Sequence, residues 1–165
     1  MGVRGGGAVI RLALVRHAKS EWGSPGVADH DRALNERGLH DAPVMAARLA
    51  DSGFVPDAIV TSTARRARTT AAAFGERFGV EPVLRPGLYG APAEELLEAA
   101  VQQGAPSVLV VAHDPGMSVL AARLSNDSIG HMPTCAVATF TWRDQDDWEV
   151  ADALDPDEWT FDSPR

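Results

Sequence analysis

The chain has 165 residues and a formal net charge of −8, with 45% hydrophobic and 23% charged residues. This length and composition are typical of a single globular domain spanning residues 1–165. The negative charge argues against a general nucleic-acid binder and against attachment to an anionic membrane, and no apolar run is long enough to span a bilayer. The single cysteine, Cys135, excludes an intramolecular disulfide and, with no convincing signal peptide, favours a cytoplasmic location.

Strand and helix patterns alternate along the chain. Residues 1–8 are predicted to be a flexible leader. The predicted elements are a strand over 9–16, a loop over 20–33, a helix capped by Asn35 that runs to about Asp51, a strand over 57–61, a helix capped by Ser62 or Thr63 and ended by Gly79, a strand over 82–84, a helix from Pro92 to about Gln103, a strand over 107–112, a helix over 116–124, and a hairpin of 135–142 with 147–151.

This alternation predicts an α/β fold, a three-layer α/β/α sandwich around a mostly parallel central sheet. The first helix is expected to bury one stripe of apolar side chains: Leu39, Ala42, Ala46 and Leu49. The acidic tail over 152–165 either packs through Trp159 and Phe161 or is loose.

Side chains that bind phosphate lie where predicted strands end or helices begin. Arg16 and His17 end the first strand, Arg32 follows in the next loop, Arg66 lies in the first turn of the second helix, and His113 ends the strand over 107–112. Parallel strands bring their carboxyl ends to one edge of a sheet, so these side chains could share one pocket. Guanidinium and imidazole donors of this kind bind a phosphoryl dianion.

Four segments resemble motifs of the histidine phosphatase superfamily, which includes the phosphoglycerate mutases. Residues 15–20 (Val-Arg-His-Ala-Lys-Ser) resemble its Arg-His-Gly motif, and residues 32–38 (Arg-Ala-Leu-Asn-Glu-Arg-Gly) resemble the segment that follows it. Residues 61–70 resemble its second arginine motif, and residues 111–116 (Val-Ala-His-Asp-Pro-Gly) its second histidine motif. The motifs follow the family's order. The short chain and a Met-Pro-Thr stretch at 132–134 are similar to the small SixA-type phosphohistidine phosphatases.

The resemblance implies a phosphoglycerate mutase-like fold and a covalent, metal-independent mechanism without a cofactor. His17 would attack phosphorus and form a phosphohistidine, while Arg16, Arg32, Arg66 and His113 would hold the phosphoryl oxygens. Phosphohistidine in a protein is the substrate that the resemblance favours. A phosphatase of small phosphate esters and a non-catalytic phosphate-binding module remain alternatives, and the sequence indicates nothing about oligomeric state.

Three residues depart from the family's pattern or are not explained by it. Larger members use a carboxylic acid to protonate the leaving group, and the only candidates here, Glu94 and Glu95, also suit an ordinary first helical turn. If the acid is missing, a labile P–N bond is a better substrate than an alkyl phosphate. Asp114 follows the second histidine with the wrong charge for a phosphate wall, so it must point away or bind His113.

Two other phosphatase types fit the sequence poorly. Cys135 would be the nucleophile of a Cys-x₅-Arg phosphatase, but Thr141 stands at the arginine position, which favours a small buried cysteine. The pairs His30-Asp31, His40-Asp41 and His113-Asp114 suggest a metal-dependent HD phosphohydrolase, an all-helical fold that the strand-rich pattern contradicts.

Overall fold

The computed structural model describes residues 7–22 and 24–165. These residues form one six-stranded sheet and five α-helices. The strands are β1 (Val9–Arg16), β2 (Ala58–Thr61), β3 (Val83–Leu84), β4 (Ser107–Ala112), β5 (Val137–Arg143) and β6 (Glu158–Asp162). The helices are α1 (Glu36–Asp51), α2 (Arg65–Phe78), α3 (Ala93–Val101), α4 (Gly116–Leu124) and α5 (Val150–Ala153).

The strand order is β3-β2-β4-β1-β5-β6, and the first four strands in this order are mutually parallel. β5 runs antiparallel to β1, and β6 runs antiparallel to β5. The predicted mostly parallel sheet is therefore confirmed. In the β1–β4 register Arg16 lies opposite Ala112, so the residues that follow these two strands emerge side by side.

Alternate residues of β1 face opposite layers of the sandwich, because side chains alternate across a strand. Leu12 and Leu14 pack with the buried side chains of α3 and α4, whereas Ala13 and Val15 pack with those of α1 and α2. All six residues of β4 are buried. The three-layer α/β/α arrangement is confirmed.

The prediction that Leu39 lies on the buried face of α1 is wrong, because this side chain is 55% exposed. The first turn of α1 instead buries Gly38, where a Cβ would collide with the carbonyl oxygen of Lys19. The predicted helix cap Asn35 is confirmed, since its side chain accepts a hydrogen bond from the Gly38 N–H. This close contact holds the start of α1 against the segment after β1.

The predicted hairpin has the wrong second strand. β5 pairs with β6, which lies in the acidic tail, and residues 150–153 form α5. Trp148 belongs to the buried core, and its indole N–H donates to the Ala105 carbonyl. Its apolar character therefore reflects core packing and does not indicate a strand. In β6, Trp159 lies opposite Phe140 and Phe161 opposite Ala138, so the tail packs as an edge strand.

The predicted leader falls mainly on residues 1–6, which lie outside the described residues. Ala8 accepts a backbone hydrogen bond from Gln145 just before β1 begins. Among residues 7–22 and 24–165, no helix has both the length and the apolar composition needed to cross a membrane.

Candidate active site

A cavity of about 240 Å³ opens at the edge where the parallel strands end. It is lined by Arg16, His17, Lys19, Ser20, Trp22, Arg32, Arg66, His113, Asp114 and Thr134. All five residues that the sequence predicts for a phosphate pocket are in this lining. The parallel register explains why, since it brings separate strand ends to one place.

His17 and His113 lie side by side in the cavity wall, with ring centroids 5.1 Å apart and planes tilted by 54°. Each follows one of two paired strands, and the His17 N–H extends the pairing by donating to the Ala112 carbonyl. Both side chains are largely buried. The β1–β4 pairing is therefore what sets the spacing of the two imidazoles.

The tautomer of His17 is set by its own loop. Its Nδ1 lies 2.8 Å from the Ala18 carbonyl oxygen, which only accepts, so Nδ1 carries the proton and Nε2 has a free lone pair. Burial lowers the pKa of His17 to about 3, and the positive charges of His113, Arg66 and Arg16 act in the same direction against the Ala18 bond. His17 is therefore neutral at neutral pH, and its Nε2 lone pair is unprotonated.

Ser62 orients the second histidine. Its Oγ accepts from the Ala64 N–H at 3.2 Å and lies 2.8 Å from His113 Nε2, so its own proton is available to that nitrogen. With the Ser62 hydroxyl as the donor to Nε2, the proton of the neutral imidazole lies on Nδ1. Burial lowers the pKa of His113 to about 4, with Arg66 contributing.

Ser62 is not the N-cap that the sequence predicts, and neither is Thr63. Helix α2 begins one residue later, after Ala64. The signal that could have assigned Ser62 to the site is its position directly after β2, at the same edge as His17 and His113.

The guanidiniums of Arg16 and Arg66 are both fixed by hydrogen bonds to other residues. Arg16 Nη1 donates to the Met132 carbonyl at 2.8 Å. Arg66 Nη1 donates to the backbone carbonyl of Asp29 at 2.7 Å, and Nη2 donates to the Asp29 carboxylate at 3.1 Å. Arg66 is the second residue of α2, as predicted, where the helix N-terminus adds partial positive charge.

Three buried side-chain nitrogens have no hydrogen-bond partner within the part of the chain that the structure describes: Arg16 Nε, Arg66 Nε and His113 Nδ1. All three belong to residues that line the same cavity. Buried polar groups are normally paired, so unpaired donors around one cavity indicate a site for an acceptor-rich ligand. A tetrahedral oxyanion offers several acceptor oxygens.

Arg32 also lines the cavity, and two of its three side-chain nitrogens are engaged. Nη1 donates to Ser20 Oγ at 2.9 Å and to the Glu21 carbonyl at 2.8 Å, and Nε donates to the Asp29 carboxylate at 3.0 Å. The guanidinium carbon lies 5.6 Å from the centre of the Trp22 ring. Among the described residues, Arg32 Nη2 has no hydrogen-bond partner, so it is the Arg32 nitrogen left for a ligand.

The carboxylate of Asp114 does not bind His113. It accepts hydrogen bonds from the N–H and hydroxyl of Ser118 in α4, and it lies 3.5 Å from Arg16 Nη1 and 3.6 Å from His131 Nδ1. Its negative charge is therefore close to Nη1 of Arg16, which partly neutralises it.

Neither predicted candidate for a general acid reaches the cavity. The Glu94 carboxylate is exposed and lies 3.6 Å from Arg123, and Glu95 lines a separate cleft with Arg85 and Gln102. Both are first-turn residues of α3, and neither is among the residues that line the cavity.

The remaining sequence alternatives are also resolved by position. Cys135 is fully buried, and burial raises the pKa of its thiol to about 12, so it is not a thiolate nucleophile. The described residues contain no group of three His, Cys, Asp or Glu side chains that could hold a metal ion.

Comparison with known proteins agrees with this geometry. The sequence model of the Histidine phosphatase superfamily (branch 1) matches residues 12–91. A Mycobacterium tuberculosis protein is 38% identical over 116 residues, which cover 69% of this chain and 72% of that protein.

Two solved SixA structures, both described provisionally as phosphohistidine phosphatases, are similar over most of their length. The Agrobacterium tumefaciens structure is 34% identical, with a TM-score of 0.75, and the match covers 81% of this chain and 92% of that one. The Nakamurella multipartitia structure is 26% identical, with a TM-score of 0.81, and the match covers 97% of this chain and 99% of that one. The resemblance in the motifs is thus confirmed: the chain belongs to the histidine phosphatase superfamily, has SixA proteins among its relatives, and is a phosphatase.

Proposed function

We propose that this phosphatase removes the phosphoryl group from phosphohistidine in a protein, through a phosphohistidine intermediate on His17. The Nε2 lone pair attacks phosphorus, the P–Nε2 bond forms and the bond to the leaving group breaks. Water then attacks the phosphoenzyme, the P–Nε2 bond breaks, and inorganic phosphate leaves with His17 restored. The observation that carries this proposal is the set of three unpaired donors beside the neutral imidazole of His17.

The unpaired donors have a defined role in this scheme. Arg16 Nε, Arg66 Nε and His113 Nδ1 donate to the non-bridging phosphoryl oxygens, whose negative charge they offset as the transition state forms. Arg32 and Lys19 add positive charge to the cavity lining. The guanidiniums supply the charge stabilisation, so the scheme uses no metal ion or cofactor.

The cavity chemistry favours a phosphoramidate over an alkyl phosphate. Among the described residues that line the cavity, Asp114 is the one carboxyl group, and it is already bonded to Ser118 and close to Arg16. A neutral carboxylic acid to protonate an alkoxide is therefore missing from this lining, whereas the imidazole of phosphohistidine leaves with less assistance. The SixA relatives support the same substrate class. We also propose a cytoplasmic location, supported by the single, unpaired cysteine.

The test compares two phosphopeptides of identical sequence, one carrying phosphohistidine and one phosphoserine, in the presence of a metal chelator. We expect kcat/KM for phosphohistidine to exceed that for phosphoserine by about 10² or more, because general acid catalysis typically contributes 10²–10⁴. Rapid quench of the wild-type reaction should trap an acid-labile, base-stable phosphoenzyme. His17→Asn should abolish both signals, and the exposed His40→Asn should change neither.

Each outcome decides between the alternatives. Turnover that survives His17→Asn would exclude His17 as the nucleophile. Equal rates for the two peptides would favour a phosphatase of phosphate esters. Phosphate binding without turnover would identify a non-catalytic phosphate-binding module.

A further inference from the structure

Asp29 connects three side chains around the cavity without lining it. Its carboxylate accepts from Arg66 Nη2 at 3.1 Å, from the Tyr89 hydroxyl at 2.5 Å and from Arg32 Nε at 3.0 Å. Its backbone carbonyl accepts from Arg66 Nη1 at 2.7 Å. Asp29 opens the short 3-10 turn Asp29–Asp31, in the loop between β1 and α1.

The guanidinium of Arg66 has two edges that can each form a pair of hydrogen bonds, one from Nη1 and Nη2 and one from Nε and Nη2. Asp29 occupies the first edge completely, through its backbone carbonyl and its carboxylate. The second edge contains Nε, which is buried and has no partner among the described residues. Asp29 therefore fixes the rotation of the guanidinium and leaves Nε without a hydrogen-bond partner among the described residues.

The geometry points to Asp29 as a positioning residue: it holds the outer edge of Arg66 so that the Nε edge meets the phosphoryl oxygens. Tyr89 supports it by donating to the same carboxylate oxygen that Arg66 uses. The Tyr89 ring also contacts His113 edge-on, at 5.6 Å between centroids. This inference rests on the proposed phosphate site, but it concerns binding of the anion and does not require turnover.

If Asp29 acted only through its charge, removing its carboxylate would strengthen phosphate binding. A negative charge beside an anion site repels the anion, so a bystander or competing carboxylate would weaken phosphate binding, and Asp29→Asn would strengthen it. A positioning carboxylate has the reverse sign. Asp29→Asn would keep the backbone contact to Nη1 but replace the charged acceptor of Nη2 by a neutral amide oxygen. Arg66 would then be held less firmly, and phosphate binding would weaken although a negative charge is removed.

The matched control is Asp31→Asn, which makes the same charge change in the same 3-10 turn. Asp31 is 67% exposed and lies near His30 instead of an arginine of the cavity. Calorimetric titration with inorganic phosphate at physiological ionic strength measures binding in wild type, Asp29→Asn, Asp31→Asn and Tyr89→Phe. Turnover of the phosphohistidine peptide is followed in parallel.

We expect Asp29→Asn to raise the phosphate dissociation constant about tenfold and to lower kcat about 10- to 100-fold, because small misplacements of a catalytic donor cost up to about 10². Tyr89→Phe, which keeps the arginine contacts, should weaken phosphate binding about 2- to 10-fold, the value of one hydrogen bond. Asp31→Asn should change neither.

Phosphate binding by Asp29→Asn that is unchanged or tighter than wild type would overturn the positioning role. If Asp29→Asn does not fold, Tyr89→Phe decides in the same way. A wild-type protein that binds phosphate without hydrolysing the peptide would refute the proposed function alone, and one that binds no phosphate would refute both.

Discussion

Strands from both halves of the sheet end in an arginine, but the two arginines have different surroundings. In the parallel half (β3, β2, β4 and β1), β1 ends in Arg16, whose guanidinium reaches the cavity. In the antiparallel half (β5 and β6), the neighbouring strand β5 ends in Arg143, and its guanidinium lies 3.0 Å from Glu158 of β6 at the opposite edge. Strand direction alone separates the two arginines, because β1 and β5 are antiparallel.

The difference shows which part of the sheet supplies the side chains of the cavity and which part supplies the backbone groups that hold them. The parallel strands deliver the imidazoles and the Arg16 guanidinium at their carboxyl ends, and the turn after β2 delivers Ser62 and Arg66. The segment before β5 reaches the same edge mainly with backbone groups: the Met132 carbonyl bonds Arg16, and the Cys135 N–H bonds the carbonyls of Arg16 and His17. The parallel half therefore carries the imidazoles and guanidiniums that line the cavity, and the antiparallel half holds them in place.

Arg16→Ala and Arg143→Ala form a matched pair that tests this division most strongly. We expect Arg16→Ala to lower kcat about 10²- to 10³-fold, because it removes a donor to the developing charge. Arg143→Ala should leave turnover unchanged, since its partner is a surface carboxylate. Steady-state hydrolysis of the phosphohistidine peptide measures both.

Arg16→Lys gives a further comparison within the pair. Lysine keeps the charge but has no guanidinium edge, so we expect it to recover little of the lost rate. Equal losses for Arg16→Ala and Arg143→Ala would show that both edges of the sheet affect the reaction, and the division would be wrong.

The parallel half could be predicted from sequence because its signals are local. Each strand and the candidate residue that follows it lie within a few positions, so apolar runs ending in Arg-His or His marked the candidates, and the family's motifs supported them. The five predicted pocket residues all line one cavity. Parallel geometry supplied the one non-local step, since it requires the strand ends to meet.

The partner strand of β5 and the role of Asp29 could not be predicted, because both depend on contacts between residues that are distant in the sequence. Residues 147–151 alternate like a strand, but Trp148 and Val150 are buried against the core, and the true partner of β5 lies in the acidic tail. Asp29 contacts Arg66 and Tyr89 at separations of 37 and 60 residues, so nothing adjacent in sequence reveals its role.

The parallel half should make the folded protein sensitive to acid, because keeping His17 buried is costly once its imidazole is protonated. The pKa of His17 is about 3 in the folded protein against an ordinary 6.5, so between these values the unfolded state binds more protons. Stability is thus highest above pH 6.5 and falls as the pH drops toward 3. At pH 5 the loss from His17 is about 2 kcal/mol, which is 1.5 pKa units at 1.36 kcal/mol each.

His17→Asn should remove this share of the loss. Urea unfolding at pH 7.5 and pH 5 measures the difference, which should be about 2 kcal/mol smaller in His17→Asn than in wild type. The exposed His40→Asn serves as the control and should match wild type. The same acid loss in all three proteins would mean that His17 is not desolvated as the structure indicates.

The smallest expected effect lies in the antiparallel half, at Trp142 of β5. This side chain is fully buried, and its indole N–H donates to the Leu154 carbonyl at 3.0 Å, which ties β5 to the segment before β6. Trp142→Phe keeps the aromatic packing but removes this hydrogen bond, so we expect the free energy of unfolding to fall by about 1–2 kcal/mol. Trp159→Phe, at a half-exposed position of β6, should change it by less than about 0.5 kcal/mol. Because the antiparallel half contributes no reacting side chain, kcat per folded molecule should be the same in both variants as in wild type. A fall in kcat with Trp142→Phe would instead show that packing around β5 sets the position of Arg16 through the Met132 carbonyl.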